Sequence, residues 1–201
     1  MENSSYLTRA LIAAASVLLP IAGHGDPGTR GPGNARVAES VADSNGNLHV
    51  PENYRLDYEF LGSWAVADDQ VRGSKQLHIV FASPGAAKAY RAGGTFPQGT
   101  VLVKEVFQAT TASMTTGTVS HANTLKGWFV MVRDITGQHA GNKLWGEGWG
   151  WSWFDAGNPT RTTSTDYKTD CRACHVPAQA TDWIYVDAYP SLRPEASASA
   201  R

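Results

Sequence analysis

The segment from Leu144 to Phe154, LWGEGWGWSWF, constrains the fold more than any other stretch of this chain. Trp145, Glu147, Trp149, Trp151 and Trp153 recur at period two, with Gly146, Gly148, Gly150 and Ser152 between them. An extended strand sorts these residues onto opposite faces, one aromatic and one bare. A glycine face admits close approach, either by tightly packed neighbouring elements or by a flat ligand. Glu147, set among tryptophans, needs a partner such as Arg133 if it is buried.

Other stretches carry the same message. Gln76–Ala82, Val101–Phe107 and Gly127–Arg133 are β-branched and aromatic runs of strand length. A short helix is expected over 83–93, with Ser83 as N-cap, Pro84 at the first helical position and Gly93 closing it. Phe96–Gly99 then turns the chain into the next strand. With 17% charged residues, 20 glycines and 20 aromatics, the composition suits a sheet better than a charged helical bundle. The expected fold is mainly β, an antiparallel sheet with a few short helices and an attachment helix near the C-terminus.

The chain has 201 residues, about one domain's worth. Arg9 precedes a fourteen-residue apolar run, Ala10–Gly23, which is short for a membrane span of about 20 residues and reads as an export signal. The organisation expected is a signal over 1–25, a flexible Gly/Pro/Asn-rich leader over 26–53, a folded domain over 54–195 and a disordered tail over 196–201. Export implies a periplasmic protein. A net charge of −1 gives no basic footprint, so no nucleic-acid partner is expected.

The only two cysteines, Cys171 and Cys174, lie in Cys-Arg-Ala-Cys-His, the C-x-x-C-H attachment motif of c-type haem. Two thiols one helical turn apart each reach a porphyrin vinyl group, and His175 follows as the axial iron ligand. A redox pair would need a βαβ context, and a zinc site two more ligands at suitable spacing; neither is present. A small electron carrier needs a second strong ligand. Met114 and Met131 are the methionines left once the signal is removed. His49, His78, His121 and His139 are scattered and read as surface or structural residues. An open sixth position, suited to a small molecule, is the more natural expectation.

These segments together resemble one family. GTFPQGTVLVKEVF (94–107), GWFVMVRD (127–134), WGEGWGWSWF (145–154), DYKTDCRACHVPAQATDW (166–183) and Tyr189-Pro190 look like cytochrome P-460, in matching order from about Tyr54 to Leu192. The resemblance implies a periplasmic, mainly β, dimeric protein with one covalently attached haem c per chain. It implies hydroxylamine oxidation to nitrous oxide, nitric oxide binding, and a lysine bonded to a meso carbon of the porphyrin. Lys104 matches that lysine, 71 residues before His175, whereas Lys126 and Lys143 match less well. Alternation places Lys104 beside Leu102 and Val106, with Glu105 opposite. On such a face the lysine is desolvated and its neutral, nucleophilic form favoured. Taken without the family, Lys104 reads as an edge-strand gatekeeper.

The implied reaction needs a proton acceptor near the open face and a small cytochrome to accept electrons. Asp166 is the candidate base, and helix capping is its competing role. The rival class is a gas-binding protein like cytochrome c-prime-beta, which lacks the cross-link and holds nitric oxide or carbon monoxide in an apolar pocket. Phe96 and Phe107 are the aromatic lining candidates in that reading, or simply core residues.

Overall fold

The computed structural model describes residues 41–193; the expected signal, the first part of the leader and the 196–201 tail lie outside them. Six strands form one antiparallel sheet: β1 (Glu59–Ala67), β2 (Ser74–Ala82), β3 (Val101–Met114), β4 (Gly117–Arg133), β5 (Trp145–Gly146) and β6 (Trp149–Asp155). Their order across the sheet is β1-β2-β3-β4-β6-β5. The helices are short: α1 (Tyr54–Asp57), α2 (Ala86–Gly93) and α3 (Ala173–His175), the last preceded by a wide turn over Lys168–Arg172. The mainly β expectation holds, including the helical segment near the C-terminus. Among the described residues, no helix is long and apolar enough to cross a membrane.

Register sorts the side chains into two cores. Across one face run the rows Val80–Lys104–Phe129–Trp153 and Ala82–Leu102–Met131–Trp151. Across the other run Phe81–Val103–Val130–Ser152 and Ile79–Glu105–Trp128–Phe154. The first face is covered by α2 and the C-terminal segment, including Tyr167, Cys171, Trp183, Ile184 and Tyr189. The second is covered by Val41, Leu48, Val50 and Tyr54. Residues 41–50 were expected in the flexible leader, and here the structure corrects the boundary. Full burial of a valine or leucine contributes about 1.5–3 kcal/mol, which outweighs the polar DSNGN turn between them.

The Trp/Gly segment is not one strand. Glu147 (φ 56°) and Gly148 (φ 77°) form a two-residue turn between β5 and β6. Positive φ at both central positions is the hairpin geometry that matches strand twist. The glycines serve packing: a Cβ on Gly146 would lie 2.2 Å from the Tyr167 ring, and one on Gly150 would lie 2.8 Å from the Trp145 indole. Glu147 pairs with Arg172 at 2.9 Å, not with Arg133, because the turn points it outward. Arg133 instead meets Asp182 at 2.9 Å.

Two further expectations shift. β3 and β4 extend into a long ribbon, Gln108 to Lys126, whose Thr, Ser and Ala residues gave no apolar alternation. The helix after β2 starts at Ala86, not next to Ser83, and left-handed Gly94 rather than Gly93 ends it. The Ser83 hydroxyl is drawn away to accept from the Val101 amide at 3.1 Å. Glu59 on β1 caps the helix across the fold, accepting from the Gly85 and Ala87 amides at 2.8 and 3.2 Å.

Candidate functional site

A cavity of about 470 Å³ lies between the first sheet face and the C-terminal segment. Its strand wall includes Trp64, His78, Val80, Leu102, Lys104, Phe129, Met131 and Trp151. Its opposite wall is made by Asp170, Cys171, Cys174, His175, Ile184, Tyr185 and Tyr189. The size falls within the roughly 300–1,000 Å³ usual for cofactor sites, and the lining is predominantly apolar with a few polar groups.

The cysteine box is delivered by a locally determined turn. Asp170 folds its carboxylate back onto the Thr165 and Asp166 amides at 2.7 and 3.1 Å. The Asp166 carboxylate accepts from the Lys168 amide at 2.9 Å. These bonds satisfy donors that the start of a helix leaves unpaired. The turn over Lys168–Arg172 is wider than an α-helical turn, and such insertions cluster at functional sites. Both thiols line the cavity; burial pushes the Cys171 thiol up to about 11, with Asp170 adding to the effect.

His175 is fixed by its own hydrogen bond. Its Nδ1 lies 2.7 Å from the Trp183 carbonyl oxygen. A carbonyl accepts only, so Nδ1 carries the proton and Nε2 keeps its lone pair. Burial lowers the imidazole pKa, partly offset by that bond, which favours the neutral ring a metal requires. Trp151 packs edge-on against the ring, with centroids 5.0 Å apart.

Lys104 enters the cavity from β3. Among the described residues it has no carboxylate partner. Burial lowers its pKa, and the cysteines only weakly oppose this. Its Nζ sits 4.3 Å from the Phe129 ring centroid. Such a contact is worth about 0.5–2 kcal/mol, too little to replace the hydration of an ammonium. The expectation that Leu102 and Val106 share its face while Glu105 points away is met in the register. Glu105, 2% exposed, accepts from the Tyr54 hydroxyl and from Arg55 Nε on the other face.

The remaining candidates are placed differently. Asp166 is half-buried, caps the turn and does not line the cavity. Phe96 is fully buried against Tyr90 and Trp149 beneath α2, and Phe107 faces away from the cavity. Phe129 is the cavity's phenylalanine. Lys126 and Lys143 are exposed. Met114 is 58% exposed on the ribbon, while Met131 lines the cavity beside Trp151. His78 was read as a scattered histidine, yet its even spacing from Val80 and Ala82 puts it on the cavity wall. Burial, then the neighbouring Lys104, pushes its pKa down to about 4.

These residues suit a haem. Two thiols and a neutral imidazole with a free Nε2 share one wall of a largely apolar cavity, and an uncompensated amine faces them from the other. Cys171, Cys174 and His175 all line this cavity. A comparison with curated proteins finds none that matches. The family model for cytochrome P-460 matches residues 51–186, which take in the sheet, Lys104 and the whole cysteine box. The chain belongs to the cytochrome P-460 family and is a c-type haem protein.

Proposed function

We propose that this protein is an exported, one-haem cytochrome that oxidises hydroxylamine. Cys171 and Cys174 would form the two thioethers by adding across the vinyl groups, and His175 would supply the axial nitrogen. The Lys104 amine would replace a porphyrin meso hydrogen, releasing two protons and passing two electrons to an external oxidant such as a peroxide. The observation that carries this reading is a half-buried, desolvated lysine in the same cavity as the cysteine box, with no carboxylate partner among the described residues. Such an amine spends more time neutral and nucleophilic than an exposed one. The bound haem supplies an iron centre that takes up a small nitrogen compound and passes electrons on singly.

The chain's own residues set the conditions. The Trp183 carbonyl holds the His175 proton at Nδ1, so Nε2 keeps the lone pair that would hold the iron. Trp64, Val80, Leu102 and Phe129 give the cavity an apolar lining. Two hydroxylamines give nitrous oxide, water, four protons and four electrons, the electrons leaving to a small cytochrome. A homodimer in the periplasm is the proposed working state.

One observation favours a second reading. Asp170 is the single carboxylate among the cavity residues, and it is already engaged with the Thr165 and Asp166 amides and the Thr169 hydroxyl. A cavity without a free carboxylate suits nitric oxide or carbon monoxide binding without turnover. Assaying nitrous oxide from hydroxylamine with an added electron acceptor decides between them. Production that disappears in Lys104→Ala supports the oxidase; tight nitric oxide binding without nitrous oxide supports gas binding.

A further inference from the structure

Asp182 and Trp183 are consecutive non-glycine residues in the left-handed region, with φ 60° and 69°. An L side chain disfavours that conformation, so neighbouring structure has to hold the pair there. The carbonyl of Trp183 is the acceptor for His175 Nδ1. The corner that aims this carbonyl is therefore both strained and in contact with the axial histidine.

Asp182 fastens it. Its carboxylate accepts from the Phe96 amide at 2.9 Å and from Arg133 Nη2 at 2.9 Å. Its own carbonyl accepts from Trp149 Nε1 at 3.1 Å. Arg133 is held in turn, donating to the Gly148 carbonyl at 2.9 Å and lying 5.1 Å over the Trp149 ring. The two side chains are only 12% and 6% exposed, and neither lines the cavity. The ion pair thus ties the corner behind His175 to the loop before β3, the end of β4 and the β5–β6 turn.

We infer that the Arg133–Asp182 ion pair is a positioning device for the axial histidine, acting through the Trp183 carbonyl to set how strongly His175 donates to the haem iron. The inference rests on the reading of His175 as that ligand. A firm Nδ1–H···O=C bond raises the basicity of Nε2, and a ligand so supported stabilises the ferric form. If the corner relaxes, the bond lengthens, the ring donates less and the ferrous form gains.

Asp182→Asn is the informative variant, because asparagine tolerates the left-handed region and keeps one oxygen for the Phe96 amide while losing the charge and the oxygen that faces Arg133. Arg133→Met removes the other partner, and Arg133→Lys is the conservative rescue. The readouts are the iron–histidine stretching vibration of the ferrous protein and the haem midpoint potential, with haem staining as control. In Asp182→Asn and Arg133→Met, haem content is expected to persist and the vibration to fall in frequency. The reduction equilibrium is expected to shift toward ferrous by up to about tenfold, which is about 59 mV for one electron. Arg133→Lys is expected to restore most of both signals. An unchanged vibration and potential in both disrupted variants overturns the inference and leaves the pair merely structural. Absence of an iron–imidazole vibration in the unaltered protein overturns the reading of His175 itself, and this inference with it.

Discussion

Lys104 and Glu105 are adjacent on β3, both turned inward on opposite faces of the sheet, and among the described residues only Glu105 has a charged partner. Its carboxylate takes the Tyr54 hydroxyl and Arg55 Nε, and Trp128 Nε1 donates to the same Tyr54 oxygen at 2.7 Å. Lys104 faces the cavity with an aromatic ring for company. One polar residue ties the N-terminal segment down, and the other is left reactive.

Glu105→Ala is expected to cost about 2–3 kcal/mol. It strands the Tyr54 hydroxyl and removes a charge-assisted hydrogen bond, although half-exposed Arg55 regains water. Urea unfolding measures the loss. The haem spectrum is expected to stay as it was, because the site lies on the other face.

The cavity bases make the haem-free chain sensitive to pH. His78 has a folded pKa of about 4 against an ordinary 6.5, so the unfolded chain binds more protons between those values. Stability is present above 6.5 and lost as pH falls toward 4. Lys104 is lowered from 10.5, so by the same sign stability climbs as pH rises toward 10.5. Unfolding midpoints at stepped pH check both windows. His78→Phe is expected to flatten the acid window and Lys104→Met the alkaline one.

Gly146→Ala is expected to destabilise by about 1–3 kcal/mol, since the new methyl meets the Tyr167 ring rather than a pliable side chain. Tyr167 leads into the cysteine box, so haem incorporation in cells is expected to fall with it. Thermal unfolding and haem staining measure the two effects.

Asp166→Asn retains an oxygen for the Lys168 amide. Stability is expected to change by less than about 0.5 kcal/mol, as for surface changes generally. Hydroxylamine oxidation is expected to persist, because the carboxylate stands outside the cavity. A loss of turnover with unchanged stability would restore Asp166 as a proton acceptor.

Much of this was legible in the residues, for reasons that differ by element. VLVKEVF announces a strand by alternation, and that alternation alone puts Lys104 and Glu105 on opposite faces. C-x-x-C-H announces its chemistry by spacing. The β5–β6 turn was hidden because Glu147-Gly148 falls inside an unbroken period-two pattern; the X-Gly step was its only local signal. Arg133 and Asp182 lie 49 residues apart, and no local rule pairs them. His78 shared the parity of Val80 and Ala82, a signal outweighed by its polarity. Val41, Leu48 and Val50 were masked by the polar turn they flank, since burial there depends on a sheet face that local composition does not reveal.

The absorption spectrum of the dithionite-reduced protein tests the central claim most directly. With Lys104 bonded to the porphyrin, the ferrous Soret band is expected far to the red of an ordinary c-type haem, and Lys104→Ala is expected to lose that shift while keeping covalent haem. An ordinary five-coordinate spectrum in the unaltered protein, identical in Lys104→Ala, would contradict the account and leave Lys104 a structural lysine in a gas-binding cavity.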